Sequence, residues 1–465
     1  MLSISILSWL VLLLILATVT RSEHYHIVPV DSTNFCHDYR NGTCFTLEQL
    51  VQTDVLSGGD NLTLSFLPGD HVLTDRLLIH NFSHVQITGQ NTSTTTVVEF
   101  HSNGEILFVE LNIENVGFVR ANLGPQNNDQ TFIIDGANDV HIKDRYFSDL
   151  ENQLVKIANT QTATIESTLF MNNTEFNYNS AVSGGALQVV SGTAVITWCN
   201  FTNNSADYGG AIDVVSGSVS ISNSELSNNS ADYGGAIDVD SGSLSVSNSE
   251  LTNNSADYDG GAISVYSGSM SIYNSELTNN SAAYYGGAIV VVSCNVSISN
   301  SELTNNSADY GGAIDVVSGS VSISKSELTN NSADYGGAIG VVSGSVSISN
   351  CELKNNGADY GGAILVDSDN VTVSIFNSEL KNNRAGYGGA IYTGSDDVFI
   401  SNSELTNNSA DIGGAIYVDS GNVSISNSEL RNNRADSGGA IYAGSSNVSV
   451  SNSELTNNRA RDIEE

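Results

Sequence analysis

Along most of this chain apolar residues alternate with polar ones in runs too short for a helix. Ile212 and Val214 share one parity. Val219 and Ile221 form a second run between Ser218, Ser220 and Ser222, and Leu226 anchors a third. Alternation of period two is the mark of a half-buried strand, whereas an amphipathic helix needs period 3.6 kept over about ten residues. Gly, Asn, Ser and Asp separate the runs, as tight bends require. The pattern predicts three short strands and three bends, then starts again.

The restart is regular. Gly-Gly-Ala-Ile begins at Gly209, Gly234, Gly260, Gly286, Gly311, Gly336, Gly361, Gly388, Gly413 and Gly438, after a Gly-Gly-Ala-Leu at Gly184. The steps are 25, 25, 26, 26, 25, 25, 25, 27, 25 and 25 residues. Three strands per unit of this length is one coil of a parallel β-helix, each strand pairing with its copy one coil on, about 4.8 Å away. The hand is expected to be right, as for nearly all parallel crossovers. A leucine-rich repeat is the competing solenoid at this period, and no unit has its L-x-x-L-x-L run. The fold class expected is therefore all-β, a right-handed parallel β-helix.

Five segments follow from this reading. Residues 1–22 are expected to be a signal peptide: Leu10 to Val19 is apolar apart from Thr18, and Thr20 and Ser22 suit cleavage before Glu23. No Lys or Arg precedes the apolar run, which leaves a retained anchor as the alternative. No later stretch is apolar enough to span a bilayer. Residues 23–60 form an N-terminal cap, with a short helix over Thr46 to Gln52. Residues 61–180 read as irregular coils of the same solenoid, 181–459 as the regular repeats, and 460–465 as a charged end.

Composition narrows the function. The chain has 15 Lys and Arg against 51 Asp and Glu, a net charge of −36. No Lys or Arg occurs from Ile157 to Ser324, and all eight His fall between His24 and His141. Nucleic acid and anionic lipid are excluded as partners, since both need basic side chains. His-dependent catalysis is excluded from the repeats. Cys36 and Cys44 close a short loop and are expected to form a disulfide in an exported chain, while Cys199, Cys294 and Cys351 are scattered. Seventeen Asn-x-Ser/Thr sequons suit a secreted glycoprotein. The candidate glycosylation sites are Asn41, Asn61, Asn81, Asn91, Asn295, Asn370, Asn422 and Asn447. Asn203, Asn228, Asn253, Asn279, Asn305, Asn330 and Asn407 would share one column, too crowded for full occupancy.

In such a solenoid, position in the unit becomes a column along the axis. Asn223, Asn248, Asn274, Asn300 and Asn350 are expected to occupy a tight bend and bond their neighbours above and below, with Lys325 interrupting. Glu225, Glu250, Glu276 and Glu302 begin an acidic column. Like charges about 4.8 Å apart repel by about 0.9 kcal/mol in water. Either Ca²⁺ sits between the coils, or the column is a solvated face that keeps the rod soluble. Lys354, Lys381 and Arg431, each two residues after a column Glu, are placed to relieve it. Asp213, Asp238 and Asp240 lie on adjacent coils with outward parity. They are the best candidates for acid–base work, set against the plainer reading of solvated carboxylates. Tyr392, Tyr417 and Tyr442 stack at the Asp213 position, for packing or for binding sugar rings.

Gly-Gly-Ala-Ile together with Phe-x-x-Asn, as in Phe170-Met171-Asn172-Asn173 and Phe201-Thr202-Asn203-Asn204, resembles the repeat of the chlamydial polymorphic outer-membrane proteins. The N-terminal part is similar to the first coils of pectate-lyase-like proteins. The first resemblance implies an adhesin-like surface role, the second polysaccharide cleavage. The expectation drawn is a secreted or surface β-helix with a non-enzymatic role in adhesion, recognition or structure, without cofactor unless Ca²⁺. Its partner would be a carbohydrate or a cell-surface protein. The alternative is a carbohydrate-active lyase or hydrolase, with its groove in the irregular coils.

Overall fold

The computed structural model describes backbone strands at intervals from Ser22 to Phe170. From residue 181 to 460 it describes the chain almost continuously, apart from 190–192, 367–370 and 395–396, with side-chain surroundings from 182 onward. The expected cap helix over Thr46 to Gln52, Cys36 and the terminal residues lie outside the described residues, and Cys44 is described only as backbone in Thr43–Phe45.

Every strand pairing among the described residues is parallel, and each regular coil pairs with the next in register: Ile212 with Ile237, Val219 with Leu244, Leu226 with Leu251. The chain is a right-handed parallel β-helix of about 25 residues per coil. The third strands of successive coils form one sixteen-stranded sheet running from Asp70–Leu73 to Glu454–Thr456. That continuity puts the irregular strands and the regular repeats in a single stack.

Alternation explains the core. Ile212, Val214, Val219, Ile221 and Leu226 point inward with no more than 2% exposure, and each stacks on the like residue of the next coil. Repetition thus turns five positions into five apolar columns, burying at roughly 25 cal/mol per Å². Ala211 and its copies complete the core beside the Gly-Gly corner.

The three bends are written in left-handed residues. Asn223 and Asn228 have φ of 51° and 57°, and Gly209 has 57°. Asn tolerates this region better than most residues, and Gly has no Cβ to clash. Lys325 and Trp198 take the same conformation at the first bend, at φ 51° and 58°. The second glycine of each pair has another cause: a Cβ on Gly312 would run into the Gly337 carbonyl of the next coil.

Two polar ladders stitch the interior. Ser224 is buried; its Oγ donates to the Ser222 carbonyl at 2.9 Å and accepts from the Cys199 N–H at 3.0 Å. Cys199 and Cys351 occupy this serine column, with Sγ donating to the carbonyls of Thr197 and Ser349 at 3.4 and 3.2 Å. These two cysteines stand in for serine. Cys294 fills the column of Gly268 and Gly319 and is also buried.

The second ladder corrects the expectation for asparagine. At the bend Asn223 is half-buried and its later copies are exposed, and this column bonds only in places, as from Asn274 to Asn248 at 2.9 Å. The continuous ladder is the column of Asn229, Asn254, Asn280 and Asn306. Asn280 Nδ2 donates to Asn306 Oδ1 at 3.1 Å and to the Leu251 carbonyl at 2.9 Å, and the Asn280 N–H donates to the same Oδ1 at 2.9 Å. Both amide protons and both oxygen lone pairs of these buried side chains are used.

Candidate functional site

Two acidic arrangements stand out among the described residues, one covered and one open. The covered one runs along the first strand of each coil, through Gln188, Asp213, Asp238, Ser264, Val290, Asp315 and Gly340. These side chains have outward parity, as their alternation with Ile and Val predicts. They are nevertheless buried: Asp213, Asp238 and Asp315 keep 4%, 2% and 1% exposure. The reading of solvated carboxylates is therefore corrected for Asp213 and Asp238. The Tyr-Gly-Gly corner lies against this face; a Cβ on Gly340 would meet both Asp315 Oδ1 and the Gly311 backbone. Asp240 alone of the three sequence candidates is exposed.

Burial decides the protonation of this column. It pushes Asp238 up to about 8, helped by the neighbouring Asp213, Asp240 and Asp259. Asp315 rises to about 7 by burial and by Asp259. Asp213 rises to about 6 by burial, against the hydrogen bond that Gln188 Nε2 donates to Oδ2 at 2.9 Å. Asp238 Oδ1, Ser264 Oγ and Asp315 Oδ2 are buried without a hydrogen-bond partner. A neutral carboxyl costs far less in such a place than a carboxylate. Sealed acids can hold protons here, but they cannot touch a polymer in solvent.

The open arrangement lies one bend further on. A groove of about 530 Å³ crosses four coils, lined by Lys325, Asn350, Asn377 and Asn402 at the bend and by Glu327, Glu352, Glu379 and Glu404 on the third strand. The bend turns its Asn outward, the next residue goes in to the serine ladder, and Glu emerges again, which leaves a trough between the two columns. The glutamates are direct register partners: Glu327 with Glu352, Glu352 with Glu379, Glu379 with Glu404. Lys354, Lys381 and Arg431 form the ion pairs their spacing predicts, to Glu352, Glu379 and Glu429 at 3.4, 3.0 and 3.2 Å. The Lys381 ammonium is raised by its hydrogen bond to Glu379.

The earlier part of this column carries the calcium candidates. Glu225, Glu250, Glu276 and Glu302 are exposed in single file, one per coil. Among the described residues no group of three or more His, Cys, Asp or Glu is placed to hold a metal ion. Of the glycosylation candidates, Asn295, Asn422 and Asn447 are exposed. Asn447 Nδ2 donates to Asn422 Oδ1 at 3.1 Å, and Asn422 Nδ2 to Asp397 Oδ1 at 2.7 Å, so these two amides are engaged with one another's column. Asn41, Asn91 and Asn370 lie outside the described residues, and Asn61 and Asn81 are described only as strand backbone.

Two features escaped the sequence reading. The groove is composed from four coils, so no single unit displays it. The corner tyrosines form a stacked ladder, whose signal was the Tyr before Gly-Gly recurring at the repeat period. Tyr392, Tyr417 and Tyr442 do stack, with ring centroids 5.0 and 5.2 Å apart. Tyr392 and Tyr417 also pack edge-on against Tyr360 and Tyr387, which favours packing over a free sugar platform. No helix among the described residues is long and apolar enough to cross a membrane.

Comparison with known proteins agrees with the fold. A family described as a right handed beta helix region matches residues 235–405 and 362–464. No curated protein matches the sequence. A similar solved structure is the catalytic unit of a thermostable GH87 alpha-1,3-glucanase from Streptomyces thermodiastaticus strain HF3-3, at 11% identity and a TM-score of 0.30. The alignment covers 84% of this chain and 62% of that one. The expectation that the chain is not an enzyme is withdrawn, since the similar structure is that of a glycoside hydrolase; a match at this level assigns no activity to the chain.

Proposed function

We propose that this chain is a carbohydrate-active β-helix that lays a neutral polysaccharide along the groove from Lys325 to Glu404 and hydrolyses it. The observation that carries the reading is the pairing of amides and carboxylates in register along that open trough. Amides offer donors and acceptors to sugar hydroxyls, and carboxylates accept from them. A column of acids repels a polyuronate. A lyase would need cations to neutralise the uronate, and the bend side of the groove offers Lys325 alone. Hydrolysis of an uncharged chain is the chemistry that suits the charge.

Carboxylates on adjacent coils stand about 4.8 Å apart, close to the roughly 5–5.5 Å of retaining glycosidases. Glu379, fixed by Lys381, is assigned as the carboxylate that attacks the anomeric carbon. Glu404, on the next coil with no cation on its own strand, is assigned as the acid that protonates the departing glycosidic oxygen. Water then releases the glycosyl group, and Glu404 takes back a proton. Glu379→Gln is expected to lower hydrolysis by about 10³-fold while retention on the polymer persists. An unchanged rate would remove Glu379 from the mechanism.

A second reading has its own observation. Successive coils present nearly the same lining, and repeated weak contacts raise avidity when one polymer engages several of them. The resemblance to chlamydial surface proteins supports adhesion or recognition outside a cell, and the acidic, sequon-rich composition supports export. Retention without shortening of the polymer would favour this reading.

A further inference from the structure

The corner tyrosines take no part in the proposed chemistry, yet they form the longest aromatic array among the described residues. Tyr208, Tyr233, Tyr258 and Tyr284 stack face to face, with centroids 5.5, 5.2 and 6.0 Å apart. A second run joins Tyr285, Tyr310, Tyr335, Tyr360 and Tyr387 at 5.1, 4.6, 5.3 and 5.1 Å. The break has a cause in the sequence. The 26-residue units carry one extra residue at this corner, so Asp259 takes the backbone place between Tyr233 and Tyr285. Tyr208, Tyr258, Tyr284 and Tyr285 are exposed, and so open to an oxidant in solution.

We propose that these two ladders are sites of oxidative cross-linking, in which stacked neighbours couple into dityrosine and staple adjacent coils. The oxidant class is a haem peroxidase with hydrogen peroxide. Each of two phenols gives up one electron and one proton. The two phenoxyl radicals join through a carbon–carbon bond between ring positions ortho to oxygen, giving two dienone rings; each bonded carbon then passes its proton to the ring's carbonyl oxygen, which becomes a phenol again as the ring regains aromaticity. Two tyrosines and one peroxide yield one dityrosine and two waters. Parallel stacking on neighbouring strands holds the ortho carbons of successive rings side by side, so the second radical needs a ring pivot rather than a diffusive search. Each bond closes a loop of one coil and restrains the unfolded chain as a disulfide does.

The test is peroxidase and peroxide on the dilute, full-length chain, followed by dityrosine fluorescence and peptide mapping by mass. The expected products are intrachain pairs two hydrogens lighter than the sum of their peptides. They should join neighbours within 208–284 or within 285–387, and none should bridge Tyr258 to Tyr285. Tyr310→Phe keeps the stack and should remove the links to Tyr285 and Tyr335 while sparing Tyr208–Tyr233. Links mainly between chains, or the same pairs in urea-unfolded protein, would overturn the proposal. So would an absence of dityrosine where nitration still labels these tyrosines.

Discussion

Asn305 and Asn306 are neighbours in sequence with opposite tasks. Asn305 turns the chain, exposed at φ 56°. Asn306 is buried, accepts from the Asn280 N–H and Nδ2 and donates to the Leu277 carbonyl at 2.9 Å. Asn306→Ala would orphan those groups and is expected to cost about 3 kcal/mol, read as a fall in the urea midpoint. Asn305→Ala keeps the ladder and meets only the left-handed strain, about 1 kcal/mol. Equal losses would refute the division. Cys351→Ser restores the residue of its column and should leave the midpoint within about 0.5 kcal/mol. The sequence showed the Asn pair but not which amide faces inward, because the left-handed bend between strands resets the alternation by which parity is counted.

At the scale of the strand, Ile212 and Val214 were legible as core because two apolar residues one apart fix a face. Asp213 between them was legible as outward. What could not be read is that the chain's own Tyr-Gly-Gly corner covers that face, since parity gives a direction and not what lies beyond it. A pH dependence follows. Asp213, Asp238 and Asp315 have folded pKa values raised from 3.8 to about 6, 8 and 7. The folded state then holds more protons than the unfolded one between about pH 4 and 8, so stability declines as pH rises through that window. The rest of the acidic surface pushes the same way through self-repulsion, so the variant is the discriminating experiment. In urea titrations at pH 5 and pH 8.5, Asp238→Asn should flatten the decline. An unchanged slope would mean that Asp238 does not carry a proton into the folded state.

For the whole molecule, a period near 25 residues with three alternating runs left one architecture standing, and the fold was accessible from sequence for that reason. The site was not, because it belongs to the stack: Lys325, the three bend asparagines and the four glutamates meet only when four coils are laid in register. The same register sets the charge of the groove, and the charge sets the substrate. The direct measurement is co-sedimentation with neutral and uronate polysaccharides at low salt, with product analysis of each. A neutral polymer is expected to be retained and shortened while polyuronate is excluded. Preferential retention of polyuronate, or neither retention nor shortening of any neutral polymer, would contradict it.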